Sequence, residues 1–142
     1  MIYTSLNNEK IKKIRKLKEK KYRDQTNLFL IEGEHLIKEA YSSNVLEEVF
    51  LLENTTIDID IPISYVTKEI MKSLTDVESP SNMIGICKKI EEQQYGNRIV
   101  VLDDIQDPGN LGTIIRSAVA FQADTIILGS HTVDLYNPKV IR

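Results

Sequence analysis

The sequence predicts an α/β protein in two parts, a small α/β domain over residues 1–92 and a second, shorter α/β segment over residues 98–142. Three observations carry that reading. Short apolar runs alternate with segments of helical periodicity along the chain, so strands and helices are interleaved rather than segregated. The β-branched run Ile99–Leu102 leads into the turn chemistry of Asp107-Pro108-Gly109-Asn110, then an apolar helix, then a second strand-like run over residues 125–129. Between the parts, residues 91–97 are polar and end in Gly96-Asn97, as a linker does.

In the first part, Ile11, Ile14 and Leu17 recur at three-residue spacing behind Asn7 or Asn8 as an N-cap, which predicts one basic helix with a narrow apolar seam. It ends in Lys20-Lys21-Tyr22-Arg23. Residues 28–31 read as a strand, Glu32-Gly33 as a turn, residues 34–41 as a helix with Leu36, Ile37 and Ala40 on one face, and residues 49–52 as a second strand. Residues 63–66 predict a further strand, Thr67 the cap of a short helix through Leu74, and residues 83–90 a strand after the Ser79-Pro80-Ser81-Asn82 turn. There is no internal repeat and no low-complexity tract.

Charge is distributed unevenly. The net charge of −3 hides nine Lys/Arg against two Glu in residues 1–23, which leaves −10 on the other 119 residues. Such a basic helix is a solvated face, a surface for an acidic partner or lipid, or a surface for RNA. Its seam lacks the aromatic anchors of an interfacial helix, whereas Lys20, Lys21, Tyr22 and Arg23 join cations to one ring that can stack on a base, so RNA is the reading adopted. No apolar run approaches the roughly 18 residues that span a bilayer, and the N-terminus has no signal-peptide core, which predicts a cytoplasmic setting. Cys87 is the only cysteine and reads as a small strand hydrophobe; His35 and His131 have no metal-ligand spacing around them, so no metal site is expected.

In the second part the β-branched run Ile99–Leu102 is of the kind buried on both faces of a sheet. A helix is predicted to start at Asn110 as N-cap, with Leu111, Ile114, Ile115 and Ala118 on its apolar face and Gly112, Thr113, Arg116 and Ala120 on the other. Long helical side chains lean toward the N-terminus, so the Arg116 guanidinium should lie over Gly112 and Thr113. Free N–H groups, the helix dipole and a planar bidentate donor would then favour an anion, most plausibly a phosphodiester. The plainer alternative is a tight turn followed by a solvated arginine.

The combination resembles the first signature motif of the SpoU-type RNA ribose 2′-O-methyltransferases of the SPOUT superfamily. Asp107, Pro108, Asn110, Gly112, Arg116, Ala118 and Phe121 stand at the matching places, and Asn137-Pro138-Lys139-Val140-Ile141-Arg142 resembles the family's next block. Gln122 departs from the family's usual glycine and should alter the helix C-cap. More loosely, the pattern from Lys10 to Ile37, a basic helix followed by Tyr-Arg and then Phe-Leu-Ile-Glu-Gly, resembles the family's small N-terminal substrate-binding domain, which is similar in fold to RNA-binding ribosomal proteins.

The resemblance implies a small α/β substrate-binding domain followed by the incomplete first half of an α/β knotted SPOUT methyltransferase domain. It implies methyl transfer from S-adenosylmethionine to a ribose 2′-hydroxyl of structured RNA, ribosomal before transfer RNA, with Arg116 as the catalytic arginine and Asn110 arranging the site. Arginine is too basic for general-base duty, so Arg116 is expected to grip a phosphate and steady developing alkoxide charge. In the family, later motifs form the knot, hold the cofactor and make much of the dimer interface. The expectation is therefore an N-terminal portion of a longer, homodimeric enzyme with no cofactor-binding residue inside this chain. The same expectation follows from Pro138, which suits the start of a helix that the sequence ends about one turn later. The alternative is a non-catalytic RNA-binding module.

Overall fold

The computed structural model describes residues 1–142, which form two compact units, Met1–Ile90 and Glu91–Arg142. In the first unit the chain runs β1 (Ile2–Tyr3), α1 (Glu9–Lys16), α2 (Lys20–Thr26), β2 (Leu28–Glu32), α3 (Glu34–Ser42), β3 (Leu46–Leu52), β4 (Ile63–Val66), α4 (Lys68–Ser73) and β5 (Met83–Lys88). The strands form one mixed sheet in the order β1-β4-β3-β5-β2, parallel from β1 through β3 and antiparallel through β5 and β2.

Alternation along the strands sends successive side chains to opposite faces. Phe50, Val66, Leu30, Ile84 and Ile86 meet Ile11, Ile14 and Leu17 from α1 and Ile70, Met71 and Leu74 from the α4 segment in one buried cluster. Ile37, fully buried on α3, lies outside that cluster, and α3 packs on β2, β3 and β5 from the other side. The layers are helices, sheet, helix. Cys87 is buried on β5, between β3 and β2, where burial and the nearby Glu47 push its thiol up to about 12.

The single basic helix expected from the Ile11-Ile14-Leu17 spacing is broken. Asn8 caps α1, accepting from the N–H groups of Lys10 and Ile11, but the helix stops at Leu17 and Glu19 is extended before α2 begins. The break turns Arg23 inward: its Nη1 donates to Leu17 O at 3.0 Å and Lys18 O at 2.9 Å. Those carbonyls lie where a helix leaves acceptors without intrahelical partners. Edge strand β1, only two residues long, had no periodicity from which to be foreseen.

In the second unit β6 (Ile99–Leu102), α5 (Pro108–Ala120) and β7 (Thr125–Leu128) form a parallel β-α-β arrangement, followed by α6 (Pro138–Ile141). Leu111, Val140 and Leu102 are its buried centre, joined by Val100, Ile126 and Leu128 on one sheet face. The other face is open, with Ile99 44% and Val101 66% exposed, so the expected burial of β6 on both faces does not hold within this unit. Only one helix layer covers the pair. The end of the polar segment before β6 is tied down: Asp124 Oδ2 accepts from Asn97 N at 3.0 Å and Arg98 N at 2.8 Å.

Candidate functional site

Helix α5 begins earlier than its apolar face suggests. Asp107, not Asn110, is the N-cap, accepting from Asn110 N at 2.8 Å through Oδ2, and Pro108 occupies the first helical position. An aspartate cap before a proline whose fixed φ suits a first turn outcompetes an asparagine three residues on. Asn110 is therefore inside the first turn, its side-chain amide without a hydrogen-bond partner in the protein.

This changes the electrostatics of the helix start. Pro108 has no N–H, Asn110 N–H is bonded to Asp107, and Leu111 N donates to Asp107 O, which leaves Gly109 as the open donor of the first turn. The anion that caps the helix is the protein's own carboxylate. A phosphate would have to be held by Arg116 instead.

Arg116 is where the leaning of helical side chains puts it. Its Nη2 donates to Thr113 Oγ1 at 3.4 Å, and Thr113 Oγ1 in turn donates to Gly109 O at 3.0 Å. A Cβ on Gly112 would come within 3.1 Å of Arg116 Nη1 and 2.8 Å of Val140 O. Gly112 thus lets the guanidinium lie across the helix on one side and the α6 backbone approach on the other.

A cleft of about 310 Å³, which reaches Arg116's partner Thr113, is lined by Asp104, Ile105, Gln106, Asp107, Asn110, Thr113 and Ile114. Its wall is the loop from β6 to α5. That loop is pinned to the segment after β7, with Gly129 N donating to Leu102 O at 2.8 Å, Val133 N to Ile105 O at 2.8 Å and Ile105 N to Thr132 Oγ1 at 3.4 Å. Asp104 takes a left-handed backbone, φ 56°, and its Oδ1 accepts from Gln106 Nε2 at 2.8 Å. Neither residue stood out in the sequence; the signal available was an Asp-Asp pair between a strand and a turn.

The basic corner of the first unit is smaller than its charge count. Arg23, expected to meet RNA, is 2% exposed and engaged with backbone carbonyls, so it shapes the corner rather than facing outward. Lys10 turns inward over the Tyr3 and Phe50 rings to Glu48 at 2.6 Å, and Arg15 donates to Leu6 O at 3.0 Å. Of the residues expected to meet RNA, Lys20, Lys21 and the partly buried Tyr22 stay outside, joined by the exposed Lys16 of α1. Lys16 Nζ lies 5.0 Å and Lys21 Nζ 5.5 Å from the Tyr22 ring centroid. Lys20 pairs with Asp24 at 2.7 Å, and its bond, with that of Lys89, holds the Asp24 carboxyl down at about 2. No group of three or more His, Cys, Asp or Glu is placed to hold a metal ion, and no helix is long and apolar enough to cross a membrane.

Fold and cleft together define a two-part α/β protein: a mixed five-stranded sheet with helices on both faces, then a parallel β-α-β unit that carries the cleft. A crystal structure of an rRNA methyltransferase from Sinorhizobium meliloti superposes with TM-score 0.84 at 31% identity, over 100% of this chain and 60% of that one. AviRb from Streptomyces viridochromogenes, a SpoU methyltransferase solved in complex with AdoMet, superposes with TM-score 0.83 over 96% of this chain and 58% of its own; at 20% identity this is a likeness of fold.

The chain belongs to the family of the MRM3-like substrate binding domain, whose model matches residues 8–85, and residues 97–142 match the model of the SpoU rRNA Methylase family. Relatives are the 23S rRNA (guanosine(2553)-2′-O)-methyltransferase RlmP of Bacillus subtilis, 37% identical over 97% of this chain, and the human mitochondrial rRNA methyltransferase 3, 26% identical over 89%. The chain spans 58% of the length of the first and 34% of the second.

Proposed function

We propose that this chain is the RNA-facing part of an S-adenosylmethionine-dependent ribose 2′-O-methyltransferase acting on structured ribosomal RNA. The observation that carries the reading is Arg116, laid across Gly112 and bonded to Thr113, which lines a cleft together with Asn110. Arg116 is assigned to hold the phosphate next to the target ribose and to steady charge on the 2′-oxygen as its proton leaves; Asn110, with its unpartnered amide, is assigned to orient that hydroxyl. The exposed knob of Lys20, Lys21 and Tyr22 is assigned to docking the RNA by phosphate contact and stacking.

S-adenosylmethionine supplies an already activated methyl group when bound. The cleft is at the small end for a ligand site, with room for one nucleoside, so it does not fit the donor and the target together, and no residue here is assigned to the donor. The setting proposed is the cytoplasm. Val119 at 70% and Phe121 at 81% exposure, near the end of α5, give an apolar patch for the second copy of a homodimer.

The test is genetic and chemical. Disrupting the gene should remove one ribose 2′-O-methyl group from ribosomal RNA, mapped by resistance to alkaline cleavage, and the wild-type gene should restore it while Arg116→Ala does not. Unchanged methylation together with salt-sensitive RNA binding by the chain would instead make it a non-catalytic RNA-binding module.

A further inference from the structure

We infer that Lys16 and Lys21, gathered over the Tyr22 ring, form a clamp for RNA phosphates that holds the backbone without reading its bases. The clamp rests on the corner between α1 and α2 being an RNA-docking surface, and it narrows the docking there from phosphate contact and stacking to phosphate contact.

Most of the positive charge in residues 1–23 is already engaged within the protein. Lys10 meets Glu48, Lys12 meets Glu9, Lys18 meets Asp76 and Lys20 meets Asp24, while Arg15 and Arg23 donate to backbone carbonyls. Lys13, Lys16 and Lys21 are exposed and have no carboxylate partner, Glu19 in the break included.

Two of those three lysines converge. In the single unbroken helix that the apolar spacing predicts, residues five apart stand about 140° apart around the axis, on different faces. The break between Lys16 and Lys20 brings them to one ring instead, with Lys16 Nζ 5.0 Å and Lys21 Nζ 5.5 Å from the Tyr22 centroid. Like charges held this close repel, and no carboxylate offsets them. A phosphodiester does, since each of its two unbridged oxygens can accept from an ammonium. Lys13, three residues before Lys16 on the same face of α1, carries the unpaired charge one turn further along a strand.

Tyr22 is the support of this clamp. Attraction to the ring's π-electrons holds both ammoniums in place before RNA arrives. A base laid on the ring surface that they cover would have to displace them, so the ring serves the cations.

The experiment titrates the 142-residue chain with a uridine dodecamer and with an abasic dodecamer of the same ribose-phosphate backbone. The Tyr22 ring and the Lys16 and Lys21 side-chain signals are followed by NMR. Both oligomers should shift these signals and bind within about 2-fold of each other, because stacking of one base would make the abasic oligomer at least about 5-fold weaker. Lys16→Gln and Lys21→Gln should each lower the salt slope of binding by about one, whereas Lys38→Gln, on α3 across the sheet, should not. Tyr22→Leu, which removes the ring, should weaken both oligomers alike, about 3-fold, and Tyr22→Phe, which keeps it, should restore both.

Three results overturn the clamp and leave the corner as a docking surface: an abasic oligomer bound about 5-fold or more weakly than uridine, a Tyr22→Leu loss confined to uridine, or a salt slope unmoved by Lys16→Gln. Absence of shifts at Lys16, Lys21 and Tyr22 with both oligomers overturns the docking as well.

Discussion

Arg23 separates two accounts of the basic N-terminal segment. If it is a surface cation for RNA, its removal weakens RNA binding and leaves the fold alone. If it is what the structure shows, a guanidinium that is 2% exposed and bonded to Leu17 O and Lys18 O at 3.0 and 2.9 Å, its removal breaks the corner between α1 and α2. The variant is Arg23→Met, which keeps the length of the aliphatic stem and deletes the donors. Each carbonyl left without a partner costs about 1–3 kcal/mol, offset by the recovered side-chain entropy and by water reaching part of the corner. The net expectation is a loss of about 2–4 kcal/mol. For a domain of this size that lowers the melting temperature by roughly 10–25 °C. Urea unfolding followed by far-ultraviolet circular dichroism measures the first quantity, with the slope expected to stay constant. RNA affinity measured well below the transition, across a salt series, supplies the second: Arg23→Met should keep the wild-type slope, whereas Lys21→Gln should reduce it by about one. A stability change under about 0.5 kcal/mol, together with a salt slope reduced as in Lys21→Gln, would refute the structural role.

Three further outcomes follow from the same geometry. Gly112→Ala drives a Cβ to 2.8 Å from Val140 O and 3.1 Å from Arg116 Nη1, so it should destabilise the second unit by about 1–3 kcal/mol in urea and displace the Arg116 side-chain signals in NMR, whereas Thr113→Ser should do neither. Gln122 follows α5 with φ 61°, where the left-handed backbone favours glycine, so Gln122→Gly should stabilise by about 0.5–1 kcal/mol in thermal unfolding; a loss of stability would show that the side chain contributes something the backbone does not reveal. Cys87 should resist alkylation at pH 8 in the folded protein and react once urea unfolds it. Its raised value means that the folded state keeps the thiol proton longer than the unfolded chain, so this residue's contribution to stability is complete below about pH 9 and is lost as pH rises toward 12.

How much was legible depends on what kind of signal each feature leaves. Periodicity placed α1, α3 and most strands, because burial of one face must recur along the chain. Thr67, and Asn7 or Asn8, were readable as caps because a small polar side chain before an apolar run has a local purpose; Thr67 and Asn8 accept the backbone bonds. Arg116 over Gly112 was readable because helical side-chain direction is set locally. The failures came where competing local choices were decided by packing. Asn110 and Asp107 were both competent caps, and the proline between them gave the position to Asp107. Lys10, Arg15 and Arg23 looked like surface charge, yet Lys10 turns to a carboxylate 38 residues away, Arg15 to the Leu6 carbonyl, and Arg23 to carbonyls that the break between α1 and α2 brings within reach. Asp104 carried no pattern at all.

These corrections change where charge sits and sharpen the site. A helix start with four free N–H groups would attract phosphate by itself, and Arg116 would then only add to it. With Pro108 lacking a donor and Asp107 filling the cap, that attraction is largely cancelled, and in the proposed function Arg116 is the cation assigned to phosphate placement. Its position is then set by Gly112 and Thr113 beneath it and by the α6 backbone at Val140, which bars any larger residue at 112. The short helix α6 therefore belongs to the site's construction although none of its side chains lines the cleft. Changes at the Val140 backbone should reach RNA binding only through Arg116. Loosening α6 by Asn137→Ala, which removes the side-chain bond to Lys139 N and keeps the buried Val140 side chain, should therefore weaken RNA in the wild-type background and have no further effect in Arg116→Ala.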